Sequence, residues 1–366
     1  MKIKDISLVN PKSNRFKDFI NYIDTSSVLD GTISNVQRIE NDYPSRAQRE
    51  LNVNDILISS VRPNLRHNCF IKKPIEHGIA STGFIQIRVN NDKWLSSFIY
   101  YFLTTNKMIE HYTNIANSST TTFPAFNKEV IEQIGLPQIS LEEQRHIVDT
   151  IGSVDDLIEN YDNQAHIICS LLKAELKKFS TVIPFSFYSP RIIKSGIKTF
   201  DTAKIYLDTS SVEGVNEIFE GEAITFCRRP SRANMQPIAN SVWFAKMKAS
   251  NKIIVVSEKD TDLITETLFS TGFMGIEATK NLPLSLLTAI LISDSFHVKR
   301  NMCSVGTTMA SINNDSFLKI TVPYLSSKEI DLFESKYKYP VQTLCLLRRK
   351  IAHLKQAKAD LLAKYF

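Results

Sequence analysis

Two groups of basic and hydroxyl side chains carry the chemistry this chain could do. The first is Arg46, Arg49, Arg62, Asn64, Arg66 and His67, followed by Ser81-Thr82-Gly83 and the run from Ser118 to Thr122 that includes Thr121 and Thr122. The second is Arg228, Arg229, Arg232 and Asn234, with Lys246 and Lys248, then Ser270-Thr271-Gly272 and Thr307-Thr308. A guanidinium offers two parallel donors to a guanine edge and a carboxamide pairs with an adenine edge, whereas Lys, Ser and Thr more often hold phosphate oxygens. Such chemistry is non-covalent recognition of duplex DNA. Any one of these arginines could be merely solvated or salt-bridged in its loop; it is their clustering that favours contact. Gly83 and Gly272 read as turn positions that need a positive φ.

Catalytic words are missing. The chain has no G-x-x-x-x-G-K-[ST] loop for nucleotide phosphates, no G-x-S-x-G elbow and no H-E-x-x-H helix. It also lacks the Asn-Pro-Pro-aromatic or Asp-Pro-Pro-aromatic word of adenine amino-methyltransferases, and any glycine-rich loop like their cofactor site. His67, His77, His111 and His146 are scattered without ligand spacing. Trp94 and Tyr100-Tyr101-Phe102 fall on a helical apolar face and read as core rather than as a base-stacking platform. Asp155-Asp156 lies on a helical segment and reads as a solvated face.

The elements that must position the two basic groups are themselves duplicated. Tyr22-Ile23-Asp24-Thr25-Ser26-Ser27 recurs as Tyr206-Leu207-Asp208-Thr209-Ser210-Ser211, an offset of 184. Pro44-Ser45-Arg46-Ala47 recurs as Pro230-Ser231-Arg232-Ala233 at 186, and Ser81-Thr82-Gly83-Phe84 as Ser270-Thr271-Gly272-Phe273 at 189. Thr121-Thr122, Asn127 and Pro137 match Thr307-Thr308, Asn313 and Pro323, again at 186. Collinear words with small drifts mark a tandem duplication whose copies differ at loop tips.

Each copy begins with a mixed segment and ends with a helical one. Residues 51–61 and 83–89 are rich in Ile, Val and Phe and read as short strands. Apolar spacing predicts a helix over Trp94–Tyr112 and its counterpart over Leu284–Val298. In the first long helical segment, Ile147, Ile151, Val154, Ile158, Tyr161, Ala165, Ile168 and Leu172 step by 4 and 3 as in a coiled-coil seam. Ser140 and Glu143 form a capping box at its start. The second segment repeats the stepping through Ile330, Phe333, Tyr337, Leu344, Leu347, Ile351 and Leu354, with Pro340 expected to kink or interrupt it. Residues 140–179 hold 4 basic against 8 acidic residues and residues 326–366 hold 9 against 4, so the two helices are complementary partners for an antiparallel, pseudo-twofold pairing.

Composition closes off other classes. With 366 residues, 43% hydrophobic and 22% charged, and only 11 Gly and 13 Pro, the chain is an ordinary globular sequence long enough for two cores. Its longest mostly apolar run, Leu282–Ser293, is too short to cross a bilayer, and no signal segment opens it. Five cysteines without a C-x-x-C pair fit a reducing compartment, hence a cytoplasmic protein. The net charge of +6 permits nucleic-acid binding without requiring it.

The chain resembles the specificity subunits of type I restriction-modification systems over essentially its whole length. The resemblance is carried by Asn54-Asp55-Ile56-Leu57-Ile58-Ser59-Ser60-Val61-Arg62-Pro63-Asn64-Leu65, and by Ile139-Ser140-Leu141-Glu142-Glu143-Gln144-Arg145-His146-Ile147, which is similar to the P-x-x-x-L-E-E-Q-x-x-I start of the family's long helix. The second copy departs from both words: it reads Ser326-Ser327-Lys328-Glu329-Ile330 at its helix start, and Lys246-Met247-Lys248-Ala249 in place of Val61-Arg62-Pro63-Asn64.

The resemblance implies a mixed α/β (α+β) fold of two tandem target-recognition domains, each followed by a long helix. Those domains would cover residues 1–139 and 181–325, with the spacer helices at 140–180 and 326–366. The helices would pair as an antiparallel coiled coil through Ile147, Ile151, Val154, Ile158, Ile168 and Leu172 on one and Leu344, Leu347, Ile351 and Leu354 on the other. It further implies a non-catalytic subunit that reads a bipartite target in double-stranded DNA. Methyltransferase (M) subunits using S-adenosylmethionine and restriction (R) translocase subunits using ATP and magnesium would be its partners, with no cofactor, metal or membrane contact in this chain. The alternatives are a stand-alone DNA-binding regulator, the specificity subunit of a related methylase or nuclease system, and an enzyme with an unrecognised site.

Overall fold

The computed structural model describes residues 1–13, 18–118, 124–304 and 310–366. The chain forms two compact units, one of residues 1–156 with 355–366 and one of residues 157–354. Both are mixed α/β.

In the first unit one sheet runs in the order Gln37–Ile39, Ile20–Ile23, Gly78–Ser81, Ala47–Glu50, its central pair parallel with Tyr22 opposite Ile79. A second, antiparallel sheet runs Ser7–Val9, Phe84–Val89, Ile56–Ser59, Asn68–Phe70. The other unit repeats both. Its first sheet is Glu222–Ile224, Lys204–Leu207, Thr267–Ser270, Ala233–Met235, again with a parallel central pair, and its second is Arg191–Ile192, Phe273–Glu277, Ser241–Ala245, Ile253–Val256. Even a register irregularity recurs, between Ala47 and Arg49 and between Ala233 and Met235. The duplication seen as words is therefore a duplication of strand order. Short β-branched runs such as Ile56–Ser59 and Ile253–Val256 are buried throughout, as strands covered on both faces must be.

Each helix expected after the strands is broken in two, as Ser96–Leu103 with Asn106–Asn117 and as Leu284–Ile292 with Asp294–Cys303. Apolar spacing carries across the break because both pieces cover the same core. The break itself comes from a hydroxyl that caps the second piece: Thr105 Oγ1 accepts from Met108 N, and Ser293 Oγ from Phe296 N. Tyr100 and Tyr101 are buried, as expected of core.

The long helices are Leu141–Leu176 and Ser327–Tyr365. At the first start Ser140 N donates to Glu143 Oε2 at 2.9 Å while Glu143 N donates to Ser140 Oγ at 3.2 Å, closing the capping box. The second start, which departs from the family word, keeps the same device: Ser326 N and Oγ donate to Glu329 Oε2 at 2.7 and 2.6 Å. Pro340 does not interrupt its helix.

The apolar stripes do more than face one another. Ile147 and Ile151 are buried among Ile3, Ile6, Phe98 and Tyr112, with Leu361, Leu362, Tyr365 and Phe366 against the same cluster. Leu172 and Leu344 join Val242, Phe244, Leu286 and Phe296 in the other unit, where Leu347 is buried and Ile168 half-buried. Val154, Ile158, Ile351 and Leu354, in the middle of the stripes, are only half-buried. The stripe ends are thus core anchors, each side chain contributing about 1.5–3 kcal/mol on full burial. That packing is why the compact units extend into the helices instead of ending at residues 139 and 325.

Helix-to-helix contacts exist within each unit. In the first, Lys358 Nζ lies 2.7 Å from Asp155 Oδ1, and Tyr365 Oη lies 3.4 Å from His146 Nε2. In the second, Lys336 Nζ lies 3.2 Å from Glu175 Oε2, and Lys350 Nζ is 4.9 Å from the centre of the Tyr161 ring. Within either unit the pairs run in opposite chain directions, and both ion pairs have the acid on the first helix and the base on the second. No helix among the described residues is long and apolar enough to cross a membrane.

Candidate nucleic-acid interface

In the first unit the strand ends bring four segments distant in sequence to one place. Thr82 N donates to Arg46 O at 2.8 Å, joining the Ser81–Gly83 turn to the Pro44–Ala47 loop. Ser60 N donates to Gly83 O at 2.9 Å, Arg62 N to Pro124 O at 3.0 Å and Phe126 N to Ser60 O at 3.0 Å, which adds the loop after strand Ile56–Ser59 and the segment before Asn127.

The second unit repeats this scheme bond for bond. Thr271 N donates to Arg232 O, Lys246 N to Gly272 O and Lys248 N to Ala310 O, each at 2.9 Å, and Ile312 N donates to Lys246 O at 3.0 Å. Backbone bonding therefore matches Ser60 with Lys246 and Arg62 with Lys248, at a constant offset of 186. Reading Lys246–Ala249 against Val61–Asn64 is out by one residue. Letters in a diverged loop carry no register, and the hydrogen bonds do.

The repeated words explain themselves here. Neither Gly83 nor Gly272 has a positive φ, contrary to expectation. What crowds out a side chain is close approach: a Cβ would meet Thr25 Cγ2 at 2.9 Å and Thr209 Cγ2 at 3.0 Å, so the threonine would have to give way. The Tyr-x-Asp-Thr-Ser-Ser word thus ends against the Ser-Thr-Gly-Phe word in both units. Ser81 and Ser270 belong to this packing and not to a phosphate site. They are 0% and 3% exposed, and their Oγ atoms accept Gly83 N at 3.2 Å and Gly272 N at 3.1 Å.

Other expected contacts divide by what they already hold. Arg46, Arg62 and Asn64 are exposed and Thr82 half-exposed in the first unit; Arg228, Arg232 and Lys248 are exposed and Thr271 half-exposed in the second. Arg62 and Arg66 take left-handed backbone, φ 47° and 53°, on either side of the turn Pro63–Leu65. Arg66 Nη2 is bonded to Asn106 Oδ1, so its guanidinium ties that turn to the helix Asn106–Asn117. Arg229 Nη1 donates to Phe226 O at 2.7 Å and its guanidinium lies over the Phe226 ring, a local tie. Arg49 is half-buried, and burial lowers its guanidinium pKa. Lys246 is half-buried; burial first, and then the Arg232 charge, hold its ammonium below the usual lysine range. Thr121, Thr122, Thr307 and Thr308 lie outside the described residues.

Sequence reasoning passed over Ser60, Thr25 and Thr209, and the segments Pro124–Phe126 and Ala310–Ile312. Their signal was present, in the recurrence of the Thr25 word and the fixed 186 spacing. Among the described residues no group of three or more His, Cys, Asp or Glu could hold a metal ion. The site's chemistry is donor-rich, with cations and hydroxyls in loops that follow the strand ends.

Residues 1–167 match the family model for the type I restriction modification DNA specificity domain. Over 143 residues the chain is 31% identical to the type I restriction enzyme HindI specificity subunit of Haemophilus influenzae, covering 38% of this chain and 30% of that one. Over 179 residues it is 27% identical to the MjaIX specificity subunit of Methanocaldococcus jannaschii, covering 46% of this chain and 40% of that one. The matches therefore span less than half the length of either curated relative. Among solved structures it is similar to the HsdS subunit from Thermoanaerobacter tengcongensis, at 17% identity over 100% of this chain and 95% of that one, TM-score 0.42. It is also similar to a type I restriction-modification S subunit from M. genitalium, at 14% identity over 100% and 95%, TM-score 0.48.

Proposed function

From the premise that residues 1–167 match a type I restriction-modification DNA specificity domain, we propose that the chain is the non-catalytic DNA-recognition subunit of such a complex. Each unit reads one half of a split target in double-stranded DNA. One observation carries this reading: the same loop scheme on the same strand order carries different polar and basic sets, Arg46, Arg62 and Asn64 in one unit and Arg232, Lys246 and Lys248 in the other. Two readers built alike and armed differently suit two different half-sites. Arginine and asparagine favour base edges in the first, while lysines favour phosphates in the second.

The target-recognition parts are residues 1–139 and 181–325, and the long helices pair as an antiparallel coiled coil of pseudo-twofold symmetry that spaces them. At about 1.5 Å per residue, 36 and 39 helical residues measure roughly 54 and 58 Å, less than two turns of B-DNA. The assembled complex methylates adenine through M subunits, which bind S-adenosylmethionine, and cuts DNA through R subunits, which use ATP and magnesium; this cytoplasmic chain itself binds none of these cofactors.

Mapping methylated adenines in the source genome with and without the gene tests the reading. The expected result is a bipartite motif that loses methylation when the gene is deleted. An unchanged methylation map would leave a stand-alone regulator as the better account.

A further inference from the structure

Arg300 lies on the helix Asp294–Cys303 and is 0% exposed, a place where a cation is costly unless its charge is met. Among the described residues its hydrogen-bond partners are neutral oxygens. Its Nη1 donates to Ala245 O at 3.4 Å, and its Nε and Nη2 donate to Asn301 Oδ1 at 3.3 and 2.9 Å. Asn301 Oδ1 also accepts Ala249 N at 3.0 Å. The guanidinium therefore holds the start of the turn Lys246–Ala249 directly, through Ala245 O, and its end through the Asn301 carboxamide. Among the described residues no carboxylate forms an ion pair with Arg300, Lys246, Lys248 or Arg232, although Arg191, Lys252, Arg348 and Arg349 in the same unit all have one.

The first unit supplies a control. Seven residues past the capping hydroxyl, where the second unit has Arg300, it has Tyr112, also 0% exposed, whose hydroxyl donates to Leu103 O at 3.2 Å. A neutral side chain fills the place, so the fold does not require a cation there. Charge has been put where packing alone would refuse it, under a turn that already carries two lysines and lies beside Arg232.

We propose that Arg300 is the buried cation of a phosphate-binding turn, Lys246–Ala249, and that its missing counter-charge is a backbone phosphate of duplex DNA. The proposal rests on the DNA-recognition reading and adds to it an anion subsite peculiar to the second unit. Lys246 and Lys248 supply the direct donors. Arg300 is a positioning residue that acts through the turn and through its field, which is weakly screened inside the protein.

The test measures binding of the full chain to a random-sequence duplex of about 30 base pairs across a salt titration, since the slope of log affinity against log salt counts phosphates neutralised. Arg300→Tyr installs the residue of the first unit. It is expected to raise the thermal midpoint, reduce the slope by about 1 and weaken binding about eightfold at 0.1 M salt relative to 1 M. Arg300→Lys keeps the charge and is expected to keep the slope. Should Arg300→Tyr lose its folded circular-dichroism spectrum, Arg300→Met is read in its place. A neutral variant with the wild-type slope overturns the proposal, and so does an Arg300→Lys slope reduced as far as the neutral one. A wild-type chain with no salt-dependent duplex binding overturns the underlying reading instead, and the inference with it.

Discussion

Gly275 has no side chain because Trp243, opposite it in the sheet, occupies the space: a Cβ would lie 2.6 Å from the indole ring. In the first unit the matching pair is Gln86 opposite Leu57, two residues of intermediate size. In both copies the bulkier member sits on the same strand, Trp243 on Ser241–Ala245 and Leu57 on Ile56–Ser59, and the residue opposite adjusts to it, as a close-packed interior demands. Gly275→Ala is expected to cost about 1–3 kcal/mol as overpacking, read as a lower denaturation midpoint with unchanged slope. No motif in the sequence marks this pair, since the constraint lies across strands. Asp55 belongs to the same scale. In the sequence it is one letter of the family word; in the structure it is 0% exposed, bonded to Arg88 Nε and Nη2 at 2.8 Å each and to Gln86 Nε2 at 2.8 Å. A buried carboxylate is costly unless its charge is met, and here Arg88 meets it.

Among the elements, the long helices were the most legible, because a 3-4 apolar stepping and a Ser-x-x-Glu start are local signals that need no partner to be read. Their role was less so. A stripe predicts that a helix face is buried without naming what buries it, and here Ile147 and Leu172 enter globular cores while Val154 and Ile158 stay half-exposed. Charge also acts at this scale. Glu175 is held down to about 2 by Lys178 first, then by Tyr337 and Lys336 across the helix pair. A depressed carboxylate stabilises the fold above its ordinary value of 4.5 and loses that contribution as pH falls through about 2. Glu175→Gln should therefore lower the thermal midpoint at neutral pH and flatten its fall between about pH 5 and pH 2, so that the two proteins converge near pH 2. Parallel acid limbs in the two proteins would refute the assignment.

For the whole molecule, the proposed spacer role makes a geometric prediction. Inserting one full helical turn into either long helix should lengthen the unread gap of the target and leave both half-sites as they are, visible in the methylation map of cells expressing the variant. An unchanged gap would sink the ruler. Insertions near the middle of each helix, around Val154 and Ile158 or Ile351 and Leu354, avoid the buried anchors and are the ones expected to fold.

By itself the sequence established the duplication, the alternation of strand-rich and helical segments, the capped starts of both long helices and the residue types suited to DNA, because these rest on repetition and on short periods along one chain. Only the tertiary structure decided which of those residues share a surface. It set the true correspondence of Arg62 with Lys248, moved Ser81 and Ser270 inside, gave Gly83 and Gly272 their reason in the methyl groups of Thr25 and Thr209, and exposed Arg300 as a buried cation with no ion-pair partner among the described residues. Each of these depends on a neighbour tens or hundreds of residues away, and distance in space is what a linear pattern does not encode.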